Sequence, residues 1–277
     1  MFPVLFEIGG FAVTSFGVMI ALSFMAGGWM MARQLKLSAE NPDVAWELIG
    51  YAAIFGIIGA KLYYMILHWQ ETAADPMRAL LSRAGLVWYG GFILAALVIA
   101  WKVRKLKLPL GKYADAAAPT LALGYAIGRL GCFLVGDDYG APTSSWVGIA
   151  FPRGAPPSTA GNLRGFGVDV PASIPDYQVL AVHPTQLYEI GMSLIILAIV
   201  LRLRPRLAAA PGALWGIWLA LAAVERFIVE IFRAKDDRFL GVFSVAQLIS
   251  VLLLAVGLAI TASLLKRSAP APRTAPA

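Results

Sequence analysis

The sequence predicts an all-α polytopic membrane protein of about seven transmembrane helices, with a small head on the outer side between the fourth and fifth. Three observations predict it: an apolar composition, apolar runs long enough to cross a bilayer, and basic clusters on alternate connections. Of 277 residues, 59% are hydrophobic and 14% charged, and the mean hydropathy is +0.73. Soluble domains carry about 25% charged and about 45–50% apolar residues, so this composition belongs to a membrane protein. A hydrocarbon layer about 30 Å thick takes about 20 helical residues. Runs of that kind lie roughly at 12–32, 46–68, 85–103, 115–136, 186–203, 211–232 and 240–265.

The basic residues orient these runs. Arg33 and Lys36 follow the first; Lys102, Arg104, Lys105, Lys107 and Lys112 follow the third. Arg202, Arg204 and Arg206 follow the fifth, and Lys266 and Arg267 the seventh. Lys and Arg are retained on the cytoplasmic side, which puts the N-terminus outside and the C-terminus inside. The opening MFPVLFEIGGF has no basic start and no small-residue cleavage site, so it does not read as a removable signal peptide. Residues 1–267 read as one transmembrane domain and 268–277 as a disordered cytoplasmic tail. The connection 137–185, rich in Gly, Pro and Ser, falls outside the membrane on the outer side, and its length marks it as functional or mobile. Within it, Trp146 to Pro152 reads as a short strand.

The net charge of +7 does not indicate a nucleic-acid partner, because the cations sit in short clusters between apolar runs. One cysteine, Cys132, excludes an internal disulfide, and two histidines argue against a metal centre. No cofactor is expected.

Ionisable residues inside apolar runs are costly unless paired or wet, so they carry the functional information. They are Lys61, Arg129, Glu189, Glu225, Arg226, Glu230 and Arg233, with Asp137 and Asp138 just beyond the fourth run. Arg129 lies in GYAIGRLGCF, where Gly124 and Gly128 share a face suited to close helix approach. Arg226, Glu230 and Arg233 recur at four and three residues and form one stripe. A self-contained Arg226–Glu230 pair accounts for that stripe; two arginines at similar depth also suit a phosphodiester, whose oxygens match the guanidinium fork. His183 opens HPTQLYE, and Glu189, at the end of that block, needs a partner such as Arg129 or Arg226. GLVWYGG, which opens the third run, reads on its own as an aromatic belt with a packing glycine pair, and Lys61 as a snorkelling lysine.

Taken together, these segments resemble the prolipoprotein diacylglyceryl transferase family, over about residues 12–265. The resemblance rests on Gly128-Arg129-Leu-Gly131, on His183-Pro-Thr-Gln-Leu-Tyr-Glu189 and on Arg226-Phe-Ile-Val-Glu230-Ile-Phe-Arg233. It implies a bacterial inner-membrane enzyme with a periplasmic head. Such an enzyme moves diacylglyceryl from phosphatidylglycerol to the lipobox cysteine of prolipoproteins, engages their signal peptides and releases glycerol 1-phosphate without metal or cofactor. It also implies a catalytic set of Arg129, Arg226, Tyr89, His183 and Glu230. The implied substrate-binding set is Arg129, Arg226, Lys61, Asp137, Gly140, Glu189, Arg233, Gly90 and Gly91. The chain departs from well-known members at Phe16 (tyrosine there), Tyr89 (histidine), Cys132 (asparagine) and Asp137 (glutamate). The acceptor of the thiol proton stays open among Tyr89, His183 and Asp137. Two other readings stand beside this one: a transporter or channel, and a non-catalytic relative that binds lipid or signal peptide.

The orientation has a direct check. Reporter fusions after Lys36, Lys107, Arg206 and Arg267 should read as cytoplasmic and one at Ala160 as external; an external signal after Lys107 contradicts the topology.

Overall fold

The computed structural model describes residues 1–82, 87–234, 238–239 and 243–268. In chain order the elements are β1 (Val4–Ile8), β2 (Phe11–Thr14), α1 (Ser15–Leu37), α2 (Val44–Leu67), α3 (Trp69–Ala74), α4 (Pro76–Leu81), α5 (Trp88–Lys105) and α6 (Leu110–Val135). They continue with β3 (Ile149–Ala150), α7 (Ala160–Gly165), β4 (Ala181–Val182), α8 (Thr185–Leu207), α9 (Ala213–Glu230), β5 (Arg238–Phe239), β6 (Phe243–Ser244) and α10 (Val245–Ser268). Each of the seven apolar runs is met by a helix of 18 residues or more. Five of these, α1, α2, α6, α8 and α10, are long and apolar enough to cross a membrane. The other two, α5 and α9, have 18 residues and three ionisable side chains each: Lys102, Arg104 and Lys105 on one, Glu225, Arg226 and Glu230 on the other.

Several expected boundaries move: the first helix runs on to Leu37, the fourth starts at Leu110, and two helix starts give way to strand. Residues 12–14 belong to β2 and not to the first helix, and the last helix begins at Val245 rather than at 240. The cause is local. Gly9 and Gly10 both have positive φ, +57° and +79°, which lets VLFEI and FAVT fold back as an antiparallel pair with Ile8 opposite Phe11. A hydropathy window does not separate an apolar strand from an apolar helix. The start of the expected third run, at residues 85 and 86, and the tail beyond Ser268 lie outside the described residues.

Contacts divide the chain into two compact units, Met1–Gly27 with Ala117–Ala277, and Gly28–Ala116. In the second, α2 and α5 meet through glycines. A Cβ at Gly90 would lie 2.2 Å from Tyr63 Cβ and 2.4 Å from the Gly59 carbonyl, and one at Gly91 would lie 2.6 Å from the Gly56 carbonyl. Only glycine permits that approach. Met31, Leu35, Ala45, Leu48, Val103 and Tyr113 fill the core of this unit.

In the first unit, the Ser23 hydroxyl on α1 donates to the Gly124 carbonyl on α6 at 2.8 Å, and Gly131 receives Met19 and Phe16. The Gly124 face expected from the sequence is thus a helix contact. Ser193 on α8 donates to the Ala122 carbonyl at 3.2 Å. Helix α10 buries Ser250 and Gly257, the latter against α9, and leaves Val251, Leu252 and Leu258 outward. An outer face that apolar is stable only in lipid.

The long connection has its own core of Tyr139, Phe151, Leu163, Val170 and Val182. Its expected strand appears as β3, two residues long and paired with β4 so that Ile149 faces Val182. The buried Tyr139 hydroxyl donates to the Pro156 and Pro157 carbonyls, and burial pushes its pKa up to about 12. Arg164 gathers the carbonyls of Val170, Pro171 and Ile174 and pairs with Asp176. Residues 137–185 are therefore a folded cap and not a bare loop.

The glycine contact sets a stability test. Gly90→Ala should destabilise the purified protein by about 1–3 kcal/mol, the usual cost of overpacking, in thermal or denaturant unfolding. Gly50→Ala, where a Cβ meets open space, is the control. Equal stability of the two variants contradicts the packing account.

Candidate active site

The site is built around the turn that leaves α6. Gly136 takes φ +75° and Asp138 φ +56°, so the chain reverses within Gly136-Asp137-Asp138-Tyr139-Gly140. Three segments are then joined by backbone hydrogen bonds: Gly140 N–H to the His183 carbonyl at 2.8 Å, His183 N–H to Ala141 at 3.0 Å, and Ala141 N–H to Phe232 at 2.8 Å. A Cβ at Gly140 would lie 2.2 Å from the Phe232 carbonyl, so glycine is the residue that fits. The start of α8 clamps the same turn. Thr185 Oγ1 donates to the Asp138 carbonyl at 2.6 Å, and Gln186 Nε2 to the Asp137 carbonyl at 2.5 Å.

One helical turn further, Glu189 forms an ion pair with Arg129. Its other oxygen accepts from the Tyr125 hydroxyl at 2.7 Å and lies 4.0 Å from Arg226 Nη1. Arg226 pairs with Glu230 at 2.5 Å, and Arg233 Nε stands 4.0 Å from the same carboxylate. Asp138 closes the ring: one oxygen is 2.9 Å from Arg129 Nη1, the other 3.3 Å from Arg233 Nη2. Three guanidinium groups thus interlock with three carboxylates. Exposure rises outward, with Glu189 at 1% and Arg129 at 10%, then Arg233 at 21%, Arg226 at 30% and Asp138 at 43%. The cluster is anchored deep and opens on Arg226, Arg233 and Asp138.

Two neighbouring acids differ in charge state. Burial, and then the charge of Asp138, raise the Asp137 pKa to about 6, and its buried Oδ1 has no hydrogen-bond partner among the described residues. At Asp138 burial acts upward too, but the charges of Arg233 and Arg129 outweigh it and hold the carboxyl below the usual range. His183 is held on both sides: Nδ1 is 3.0 Å from the Tyr188 hydroxyl, and the ring packs on Phe232 and Tyr188. Cys132, buried, lies with its sulfur 3.5 Å from Arg129 Nη1.

The profile of the family described as prolipoprotein diacylglyceryl transferase matches residues 3–263. The chain belongs to that family. Relatives named phosphatidylglycerol–prolipoprotein diacylglyceryl transferase include one from Nostoc sp., 32% identical over 99% of this chain and 93% of its own length. Another, from Clostridium tetani, is 29% identical over 93% and 96%, and one from Proteus mirabilis is 28% identical over 98% and 95%.

Of the residues expected from the sequence, Arg129, Glu189, Arg226, Glu230 and Arg233 meet in one cluster, with Asp137, Gly140 and His183 on its frame. Glu189 has both partners named for it. Lys61, Tyr89, Gly90 and Gly91 belong to the second unit. There Lys61 is buried and does not snorkel; its Nζ donates to the Ser82 carbonyl at 2.9 Å and hydroxyl at 2.8 Å. Gly90 and Gly91 are packing positions against α2, and Tyr89 is half-exposed on the first turn of α5. Four residues of the site were given no role from the sequence: Asp138, noted only as an acid beyond the fourth run, and Tyr125, Thr185 and Gln186. Tyr125 had a signal, since it precedes Arg129 by four residues on one helix face. Thr185 and Gln186 had no signal beyond the HPTQLYE block that contains them, because they act on a backbone about 47 residues away.

Removing a partner from a buried ion pair strands the other charge. Glu189→Ala should therefore cost about 3–5 kcal/mol in unfolding measurements. A loss below 1 kcal/mol would show that Arg129 does not depend on Glu189.

Proposed function

We propose that this chain transfers diacylglyceryl from phosphatidylglycerol to the lipobox cysteine of prolipoproteins and releases glycerol 1-phosphate, the first step of bacterial lipoprotein maturation. The observation that carries the reading is the convergence of Arg129, Arg226 and Arg233 at the outward mouth of a buried carboxylate cluster, in a chain of this family. We place the seven long helices across the inner membrane, with the N-terminus and the 137–185 cap in the periplasm and the C-terminus in the cytoplasm. The alternating basic clusters support that orientation. The cap would meet the signal peptide.

The thiol sulfur of the substrate bonds to the carbon of the diacylglyceryl unit that carries the phosphate. The carbon–oxygen bond to the phosphate breaks, and the glycerol phosphate leaves with that electron pair. Arg226 and Arg233, the more exposed cations, bind the phosphate together with the deeper Arg129. Glu189 and Glu230 hold the guanidinium planes, so the donors are oriented before charge develops on the leaving oxygen. For the thiol proton, Asp137 has the strongest support: a free buried oxygen and a pKa near neutrality. His183 is engaged by Tyr188 and serves as framework; Tyr89 is the remaining candidate.

Arg226→Ala should lower transfer about 10²–10³-fold while the protein still accumulates in the membrane, and Arg226→Lys should rescue poorly. Near-normal transfer by Arg226→Ala contradicts the phosphate grip. A base acts in its deprotonated form, so transfer should rise as pH increases through about 6 and level above it. That break should vanish in Asp137→Asn and persist in Tyr89→Phe; its persistence in Asp137→Asn rules Asp137 out.

A further inference from the structure

The geometry points to Asp138 as a displaceable internal anion: its carboxylate holds the contacts with Arg129 and Arg233 that a lipid phosphate needs, and the two compete for them. The inference rests on the reading of this cluster as a phosphate site. Its two oxygens each take a different guanidinium, Oδ2 to Arg129 Nη1 at 2.9 Å and Oδ1 to Arg233 Nη2 at 3.3 Å. Two non-bridging oxygens of a phosphodiester would make the same pair of contacts.

Among the three carboxylates of the cluster, Asp138 alone is free to leave. Glu189 and Glu230 are 1% and 4% exposed, so withdrawing either would strand a charge in a dry interior. Glu189 is further tied to the Tyr125 hydroxyl. Asp138 is 43% exposed and sits on a turn rather than a helix, so its side chain can rotate into water. The turn does not depend on that side chain. Its backbone is fixed by Thr185 on the Asp138 carbonyl and Gln186 on the Asp137 carbonyl. Charge matching points the same way. Among the described residues, three arginines are ion-paired with three carboxylates, and a phosphodiester beside an undisplaced Asp138 would set two anions on one guanidinium edge. Once Asp138 swings out, the count is restored with the lipid in its place. After transfer, its return opposes the phosphate monoester and favours release.

The test uses the full-length protein in membranes, with transfer measured against phosphatidylglycerol concentration and with inorganic phosphate as a competing probe. Asp138→Asn and Asp138→Ala should lower the KM for phosphatidylglycerol about twofold to fivefold, the range expected for losing one partly exposed ion-pair competitor. The inhibition constant of inorganic phosphate should fall by a similar factor, and Asp138→Glu should restore the weaker binding of the parent. A purely structural Asp138 would instead leave both constants unchanged or raise them, and either result in Asp138→Asn overturns the proposal. If the substituted proteins do not accumulate, phosphate inhibition of the parent and of Asp138→Glu decides: inhibition not competitive with phosphatidylglycerol overturns it. The Arg226→Ala arm separates the two ideas. Loss of transfer there with an unchanged KM in Asp138→Asn removes the Asp138 proposal alone, whereas retained transfer in Arg226→Ala removes the phosphate site and this proposal together.

Discussion

The buried pair between Glu189 and Arg129 is the interaction on which the remainder of the site depends. A guanidinium and a carboxylate taken out of water lose several kcal/mol of hydration each, and only close mutual contact with further hydrogen bonds offsets it. Each feature around the pair supplies such contact. Tyr125 donates to Glu189 from the helix that carries Arg129, and Arg226 approaches the same oxygen from α9. The pair therefore fixes how α6, α8 and α9 meet, and that arrangement carries Arg226, Glu230 and Arg233 to a common mouth.

Around this charged centre the structure relies on backbone rather than side chains. The turn after α6, the strand-like entry to α8 and the exit of α9 are zipped together at Gly140, His183 and Phe232. The missing side chain at Gly140 permits that approach. Thr185 and Gln186 then spend their polar groups on the backbone of the two aspartates. Rigid donors of this kind suit an electrostatic site, since a cation that must reorganise during reaction stabilises developing charge less. The cap over residues 137–185 has a core of its own, to which Phe133 of α6 and Ala234 beyond α9 also pack, so it presents a defined surface beside the mouth.

The departures from well-known family members are distributed in a physically coherent way. Cys132 keeps a polarisable atom beside Arg129, 3.5 Å from Nη1, where a small weakly polar side chain is accommodated. Phe16 packs against Gly131, so an aromatic ring at that position serves helix contact without its hydroxyl. Asp137 retains a carboxyl on the frame, with a shorter arm. The three arginines of the cluster are all present.

The sequence by itself determined the class of protein, the approximate positions of the seven long helices and five of the six charged residues of the cluster. Each of these is a local signal. Apolar length follows from bilayer thickness, and an ionisable residue in an apolar run stands out because burial without a partner is costly. Helix starts at 15 and 245 were not legible, because apolar strands and apolar helices share one hydropathy. Tertiary structure alone decided that Asp138, and not Asp137, is the acid that faces the arginines. The two residues are adjacent and chemically identical. The left-handed backbone at Asp138, held by hydrogen bonds from Thr185 and Gln186, turns one carboxylate to Arg129 and Arg233 and leaves the other buried with a free oxygen. A choice between identical neighbours is made by backbone direction, which depends on contacts from a distant segment of the chain.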